Sequence, residues 1–513
     1  MKNKILLSAT LMAMLSGSLV AKGMDAALLE RLEAMEKEMN KLKDEVVSLK
    51  EKNQQILANT KASVPSIGDV DEDEEDEDDL EDRLYDIEEN LAELNRNTNG
   101  NHLKFGLDYR YSIENMSYKM ADGSKHRNRS FMTNRLWINA GYQATNNLGF
   151  AAQLAYNKAF GARSGSSDPN NNAFETFDWI ANENAYDDTL RVRSAYLFYK
   201  DMEFLGLDIP WTFSIGRRPS TDGHLVSLRD DNQENSPLGH SINVEFDGLS
   251  SSFMLNQPTG TYVKFCAGRG MSNAAPRFAS TPYAKDKTDN GSIDLAGLIF
   301  VPYDDKHYSV ATQYYYANNL IDVKNPADYT KGFDTVGGLH SGTIQFKTVG
   351  VGEGISDYLD DTILFASFAV SKTNPKSHQG MLGSKAGESK TGTSFWLGAQ
   401  FPSLISDGRW GVEYNHGSKY WRSITYGEDT NIGSKLATRG DAYEVYFTEY
   451  LVDDILSLQL RYTYLDYKYS GSNGFFGNTS GNAMSMSDAI NGGNGANTVS
   501  KAQDLRLYLR YRY

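Results

Sequence analysis

After its first 21 residues, the sequence contains no apolar run long enough to cross a membrane as a helix. Such a helix needs about 20 predominantly apolar residues. The single cysteine, Cys266, excludes an intrachain disulfide, and no cysteine follows the N-terminal apolar run to carry a lipid anchor. A closed β-barrel is therefore the only way in which the mature chain could span a bilayer.

Enzyme signatures are also missing. The sequence has no HExxH, P-loop, CxxCH or GxSxG motif. The glycine-rich stretch Gly350–Gly354 lacks the βαβ setting of a dinucleotide loop, and His224 and His240 share a loop without further metal ligands at suitable spacing. We therefore expect no catalytic residue, no metal and no cofactor, although spacing leaves an outer-membrane lipase open as an alternative.

The N-terminus has the layout of a secretory signal peptide. Lys2 and Lys4 precede an apolar run from Ile5 to Val20, and small residues lie near Ala21. Residues 1–21 are predicted to be removed on export, so the mature protein lies outside the cytoplasm.

Residues 24–60 follow a heptad pattern. The seam consists of Leu28, Leu32, Met35, Met39, Leu42, Val46, Leu49, Asn53 and Ile56. The flanking positions pair Arg31 with Glu36, Glu38 with Lys43, and Glu45 with Lys50, always with opposite sign. In a parallel coiled coil these contacts join neighbouring chains, so the pattern predicts a homo-oligomer. The alternative is a single surface helix, and the seam does not separate a dimer from a trimer.

An acidic spacer is predicted over residues 61–79, followed by a second short helix over 80–97. Nine consecutive carboxylates, Asp71 to Asp79, repel one another and keep the spacer extended. Between Asp69 and Leu94 there are sixteen acidic residues and one arginine, which account for −15 of the net charge of −16. The rest of the chain is nearly neutral, so the acidity does not indicate a cationic partner.

Residues 101–513 consist of alternating segments separated by polar loops. The final stretch, Asp504 to Tyr513, places three leucines, Tyr511 and Tyr513 on one face and the arginines with Tyr508 on the other. The pattern predicts an all-β transmembrane barrel of about 16 antiparallel strands, within a range of about 14 to 18, preceded by the α-helical coiled coil. The expected strands lie near residues 102, 131, 148, 190, 211, 241, 260, 294, 307, 339, 362, 393, 409, 439, 456 and 504.

Loop lengths give the expected orientation. Short connections lie at Gln257 to Gly260, Asp304 to Lys306 and Val452 to Asp454, whereas the alternate connections are long and polar. Outer-membrane barrels have short periplasmic turns and long outer loops. We therefore expect both ends of the barrel, and the coiled coil, to lie in the periplasm of a Gram-negative bacterium.

The coiled coil, the barrel and the aromatic terminus together resemble porins. Within them, the motifs GRRPSTDG (Gly216 to Gly223) and FDG (Phe246 to Gly248) resemble an uncharacterised family of porin-like proteins of Gram-negative bacteria, a domain-of-unknown-function family. The resemblance implies a barrel that passes small solutes, and porin analogy favours a homotrimer. Porins commonly end in Phe, so Tyr513 departs from the pattern.

Charged residues suggest how the lumen is lined. The arginines expected to line the pore are Arg110, Arg135, Arg191, Arg193, Arg461, Arg506 and Arg510. A long connection from Arg217 to His240 carries the acids Asp222, Asp230, Asp231 and Glu234. A basic wall facing an inward-folded acidic loop would form a constriction with a transverse field and a preference for anions. The alternative is that the arginines only solvate the lumen and pair with nearby acids.

The sequence therefore predicts an outer-membrane porin for passive diffusion of small hydrophilic solutes. Two other classes stay open: a structural protein that links the outer membrane to the cell wall, and the barrel component of a larger conduit. The expected partners are outer-membrane lipid and further copies of the chain, with the cell wall as a partner in the structural alternative. No nucleic-acid partner is expected.

Overall fold

The computed structural model describes residues 103–160, 190–272, 280, 292–324, 333–352, 354–425, 430–472 and 481–513. The predicted signal peptide (1–21), coiled coil (24–60), acidic spacer (61–79) and second helix (80–97) lie outside these residues. Sixteen strands form one closed antiparallel barrel, which confirms the predicted barrel. In the described ranges, no helix is both long enough and apolar enough to cross a membrane.

The strands are β1 (Leu103–Met120), β2 (Lys125–Gln143), β3 (Leu148–Ala159), β4 (Arg191–Asp201), β5 (Trp211–Ser220), β6 (Gly223–His224), β7 (Asn235–Leu238), β8 (Val244–Asn256), β9 (Thr261–Met271), β10 (Ile293–Asp304), β11 (Tyr308–Val323), β12 (Phe333–Val349), β13 (Ile363–Pro375), β14 (Thr391–Pro402), β15 (Arg409–Gly417), β16 (Gly440–Val452), β17 (Leu456–Tyr467) and β18 (Val499–Arg512). In the described part of the chain, three short helices, α1 (Val226–Asp230), α2 (Asp357–Asp360) and α3 (Met486–Asn491), and a 3₁₀ turn (Gly495–Asn497) lie in connections.

Each barrel strand pairs with the next one along the chain. The two-stranded β6–β7 sheet lies outside this order, so β5 pairs with β8. The barrel closes where β1 meets β18, with Tyr109 opposite Tyr511. Closure pairs the edges of the sheet, so the barrel presents no open strand edge to lipid.

The two faces of the strands differ in chemistry, as the alternation predicts. On β1, Asp108, Arg110 and Glu114 are buried in the lumen, whereas Leu107 and Ile113 are exposed on the outer surface. Apolar side chains exposed around a closed barrel are the surface that a membrane covers. The fold is thus that of an outer-membrane β-barrel.

The connections differ in length between the two ends of the barrel. Most connections are short at one end, where both barrel termini also meet: the Leu107 amide donates to the Tyr513 carbonyl at 2.6 Å. The β12–β13 connection (residues 350–362) at this end is longer and contains α2. Most connections at the other end are long. Between β1 and β2 only residues 121–124 intervene, because these strands continue as a protruding hairpin that is closed by the Met120 amide donating to the Ser124 carbonyl at 2.9 Å.

Among the residues that the structure describes, the β5–β8 and β15–β16 connections fold into the lumen. The β5–β8 loop (residues 221–243) contains β6, α1 and β7. The β15–β16 loop (residues 418–439) is described except for 426–429. The two loops meet at an isolated parallel bridge between Ile242 and Ile424. Buried side chains of both loops, including Leu238 and Leu436, pack against the inner face of the barrel, so the lumen holds protein as well as polar wall residues.

Candidate constriction in the barrel lumen

The wall of the lumen carries alternating charges where the barrel closes. Since side chains two residues apart share a face, Asp108 and Arg110 on β1 both point inward, as do Arg506 and Arg510 on β18. Each of these four residues is buried. Arg510 contacts the Asp108 carboxylate through Nε at 2.9 Å and also through Nη2. The wall is therefore mixed in charge, because acids lie among the arginines.

A second charged contact in this region joins Arg506 to Glu114. Arg506 Nε lies 3.3 Å from Glu114 Oε1, and both side chains are buried. Across the next pair of strands, Arg135 Nη2 lies 3.4 Å from Asp108 Oδ1. Asp108 therefore has two arginine neighbours, Arg135 and Arg510. The pairing weakens the field that the arginines alone would produce in the lumen.

The β5–β8 loop is attached to the wall by ion pairs that reach several strands. Its first acid, Asp222, accepts from Arg193 Nη2 on β4 at 3.2 Å. Asp230, the last residue of helix α1, lies against β17, where Arg461 Nη2 donates to Asp230 Oδ1 at 2.6 Å. Because β4 and β17 belong to separate parts of the wall, the loop crosses the lumen between them.

The remaining two acids of the loop have wall partners as well. Arg512 on β18 donates to the Asp231 carboxylate. Lys347 Nζ on β12 lies 2.9 Å from Glu234 Oε2, and His224 Nδ1 of the same loop lies 3.1 Å from Glu234 Oε1. All four acids predicted to form a constriction thus contact cationic residues.

Neutral hydrogen bonds fix the backbone of the same loop. Gln459 Nε2 donates to the Arg229 carbonyl at 2.8 Å, and the Tyr315 hydroxyl donates to the Ser241 carbonyl at 3.0 Å. These bonds satisfy buried backbone groups that would otherwise be left without partners. The loop is consequently held by uncharged contacts in addition to its ion pairs.

Backbone conformation shows how tightly the loop turns. Asp222, Leu225 and Asp231 have φ values of 53°, 75° and 48°. A residue other than glycine in this left-handed region costs about 1 kcal/mol or more, so three of them persist only where surrounding contacts hold them. The contacts of Asp222 and Asp231 with Arg193 and Arg512 supply part of that restraint.

The β15–β16 loop adds a buried cation that the sequence analysis does not predict. Lys435 Nζ contacts Glu413 of β15 and lies 2.9 Å from Glu444 Oε1 of β16. Arg229 Nη1 of the β5–β8 loop lies 3.9 Å from the same Glu444 oxygen. Glu444 therefore links the two loops electrostatically.

Apolar and aromatic contacts also join the two loops to the wall. Leu225 and Val226 pack with Phe365, Trp396 and Leu436 in one buried cluster. His240 is fully buried in the β5–β8 loop and lies between hydroxyl groups: Ser367 Oγ is 2.9 Å from Nδ1, and Ser394 Oγ is 2.9 Å from Nε2. The two loops thus form one packed unit with β13 and β14.

A polar recess remains beside the β5–β8 loop. It has a volume of about 560 Å³, and its lining includes Asp108, Asn139, Arg193, Asp222 and Arg510. Lys104 and Tyr513, close to the barrel termini, also line it, which places the recess on the short-turn side of the loop. A small hydrophilic solute could contact both charges and amides there.

The structure brings together most of the predicted lining residues. Arg110, Arg135, Arg193, Arg461, Arg506 and Arg510 are buried on the inward face. Arg191 is half-buried and begins β4 at its long-loop end, opposite Ala155. The coiled-coil seam from Leu28 to Ile56 lies outside the described residues.

The acids of the wall and the β15–β16 loop are not among the features predicted from the sequence. Asp108 and Glu114 are an even number of residues from Arg110, so the strand period itself could have assigned them to the lumen. No comparable signal marks Lys435, because its position depends on a loop that folds back over Glu413 and Glu444. The predicted basic wall is therefore a mixed one.

Across the described ranges, no group of three or more His, Cys, Asp and Glu side chains is arranged to hold a metal ion. His224 and His240, which share the β5–β8 loop, contact Glu234 and two serines respectively. The histidines are therefore part of the packing of the loop.

Comparisons with known proteins add a family and two structural likenesses. OmpT, an outer membrane protein of Vibrio cholerae, aligns with 12% identity and a TM-score of 0.40 over 80% of this chain and 98% of its own. Salmonella typhi OmpF, in a complex with daunomycin, aligns with 11% identity and a TM-score of 0.42 over 80% and 97%. No curated protein matches the chain.

The family match covers the barrel from β2 to the last residue. The family described as "Protein of unknown function (DUF3373)" matches residues 125–513, which is more than half of the chain. This range includes both lumen loops and the wall arginines from Arg135 onward. The predicted membership of an uncharacterised barrel family is confirmed: the chain belongs to the DUF3373 family of proteins of unknown function.

Proposed function

We propose that the protein is an outer-membrane porin in which small hydrophilic solutes diffuse through a lumen narrowed by the β5–β8 loop. The observation that carries this proposal is the path of that loop, which is bound to β4 through Asp222 and to β17 through Asp230. A loop that crosses the lumen among paired charges restricts passage to small polar solutes.

The pairing of charges in the wall leaves at most a weak preference for anions. Of the arginines predicted to attract anions, Arg135 and Arg510 share Asp108, Arg506 lies beside Glu114, and Arg461 binds Asp230. Paired charges still produce a local transverse field, but they give little net attraction for one sign of ion. We expect solute size to limit passage more than solute charge.

Liposome swelling tests the proposal. Vesicles containing the purified full-length protein are placed in isotonic solutions of sugars of increasing size. Rapid swelling in a pentose that slows sharply for a disaccharide is the expected result. A swelling rate no higher than that of protein-free vesicles for every sugar would contradict the porin proposal and favour the structural alternative.

We further propose that the coiled coil over residues 24–60 lies in the periplasm and joins three copies of the chain. The support for assembly is the opposite sign of the three flanking charge pairs, such as Arg31 with Glu36. The number of three copies rests on the porin analogy. Native mass spectrometry of the full chain and of a variant that lacks residues 24–60 tests this. We expect a trimer that becomes smaller in the variant, whereas an unchanged oligomer would show that the barrel itself associates.

A further inference from the structure

Three lysines lie side by side across neighbouring strands of the barrel. Lys119 of β1 is directly opposite Lys125 of β2 and, on its other side, directly opposite Lys501 of β18. Residues in such positions have Cβ atoms about 5 Å apart, and like charges there destabilise the sheet. We call Lys119, Lys125 and Lys501 the lysine row. Its arrangement is unfavourable for the protein alone.

The lysine row lies on the outer surface of the barrel. Met120, next to Lys119, and Ala502, next to Lys501, are buried on the inner side. Successive side chains of a strand point to opposite faces, so the lysines point outward. Lys119 and Lys125 are exposed, and the Lys501 side chain is 45% exposed.

Neighbouring charges leave the lysine row with an excess of positive charge. Arg127, which is exposed, lies opposite Ser117 one position further along the same outward face. Lys501 Nζ lies 4.0 Å from Asp466, but Lys468 Nζ contacts that carboxylate at 2.6 Å. The carboxylate of Asp122, in the β1–β2 turn, accepts from the backbone and hydroxyl of Ser124. Cations therefore outnumber carboxylates around the row.

The height of the lysine row above the exposed apolar residues of the barrel indicates which kind of anion could neutralise its charge. The exposed apolar residues of β1 end at Ile113, and Lys119 is six residues further on, or about 20 Å along the strand. With a strand tilt of about 40°, this corresponds to about 15 Å along the membrane normal. The polar region of a simple phospholipid leaflet is only about 5 to 8 Å thick. An anion that reaches the lysine row must therefore extend further from the hydrocarbon core than the phosphate of a simple phospholipid does.

We propose that the lysine row, with Arg127, binds phosphate groups on the saccharide headgroup of a glycolipid in the leaflet at the long-loop end. Phosphate is a strong acceptor of charge-assisted hydrogen bonds from lysine and arginine. A bound phosphate would offset the repulsion among the three lysines. Each cation near an anionic lipid surface contributes about fivefold to affinity.

Native mass spectrometry of the full-length protein in detergent tests the proposal. The probes are a phosphorylated glycolipid, the same glycolipid after enzymatic removal of its phosphates, and inorganic phosphate. The variant replaces Lys119, Lys125 and Lys501 with serine. A matched control replaces three other exposed lysines, Lys200, Lys372 and Lys385, with serine and so removes the same charge.

The wild type and the control are expected to retain the phosphorylated glycolipid, with binding to the row variant at least about tenfold weaker. The dephosphorylated glycolipid should bind all three proteins equally weakly. Equal retention by the row variant, or an equal loss in the control, would overturn the proposal. So would inorganic phosphate that binds the row while the glycolipid does not, since the site would then take a free anion.

Thermal unfolding supplies a second readout, because the difference in stability between the wild type and the serine variant should change sign when glycolipid is added. Without glycolipid, the serine variant should unfold at the same or a higher temperature than the wild type, because a repulsive contact has been removed. With phosphorylated glycolipid, the wild type should become the more stable protein. A variant that is less stable in both conditions would show that the lysines serve the fold alone.

Discussion

Arg461 and Asp230 are 231 positions apart in the chain, yet the guanidinium Nη2 of one donates to the carboxylate Oδ1 of the other at 2.6 Å in the buried lumen. The contact joins strand β17 to the α1 helix of the β5–β8 loop. It combines a wall residue with a loop residue, both singled out by the sequence analysis. The position of the loop inside the barrel depends on contacts of this kind.

Asp230→Asn is expected to lower the free energy of unfolding by about 3 kcal/mol, because it removes the carboxylate to which the buried Arg461 donates. Denaturant titration of the vesicle-embedded protein, followed by tryptophan fluorescence, measures the change. The same substitution at Asp294, whose pair with Arg269 is about half exposed on both sides, is the control and should cost less than about 1 kcal/mol. Equal losses at both sites would show that the Arg461–Asp230 contact does not hold the loop.

Removing a carboxylate from the wall and removing arginines from it should shift the ion selectivity of the channel in opposite directions. Asp108→Asn leaves Arg135 and Arg510 with less compensation, so the preference for anions should increase. Arg506→Ser combined with Arg510→Ser should reduce or reverse it. Reversal potentials across a potassium chloride gradient measure both effects, with the exposed turn substitution Asp305→Asn as the control. Selectivity that is the same in all variants would place the ion path away from this wall.

His240 predicts a pH dependence of stability. It lies in the β5–β8 loop, outside the membrane-spanning strands, and burial lowers the pKa of its imidazole to about 3. The unfolded chain takes up this proton near pH 6.5 while the folded protein does not. Stability is therefore fully present above pH 6.5 and falls between pH 6.5 and about 3, by up to about 1.4 kcal/mol per pH unit.

The test compares His240→Gln with the wild type in denaturant titrations at pH 7 and pH 5. We expect a smaller loss between the two values in the variant. His378→Gln, at an exposed position, is the control and should follow the wild type. An equal pH response of His240→Gln and the wild type would contradict the account.

Orientation in the membrane can be read from single cysteines. Cys266 is the only native cysteine, so a Cys266→Ala background allows specific labelling. Lys385→Cys in the long β13–β14 connection should react with an impermeant maleimide on intact cells, whereas Gln257→Cys in a short turn should react only after lysis. Labelling of Gln257→Cys alone on intact cells would mean the reverse orientation.

The fold could be predicted because a membrane barrel displays its two faces in the sequence. The terminal stretch from Asp504 places Leu507, Leu509 and Tyr511 on one face and Arg506 and Arg510 on the other, and the structure has that parity. Lipid on one side and a polar lumen on the other enforce this alternation, except where a loop packs on the inner face, as Leu238 does on Ile299 and Val301 of β10. The number of strands follows from counting such segments.

The lumen was only partly predictable because its contacts are distant in sequence. The acids of the β5–β8 loop stand out because of their composition, yet nothing local shows that Asp230 reaches Arg461. The β15–β16 loop is harder still: Arg422 donates to the Ser472 carbonyl at 2.7 Å and Arg439 to the Ser470 carbonyl at 2.8 Å, contacts that no local pattern shows. Long-range hydrogen bonds, rather than local propensity, determine which connections enter the barrel.

The central claim, that the β5–β8 loop narrows a conducting lumen, is tested most directly by single-channel conductance in planar bilayers. The wild type is compared with a variant in which a short glycine-serine linker replaces residues 225–233, which removes α1 and Asp230 but keeps Asp222 on Arg193. We expect small, steady channels for the wild type and severalfold larger ones for the variant. Wild-type conductance that is already as large as that of the variant, or an absence of channels in both, would contradict the claim.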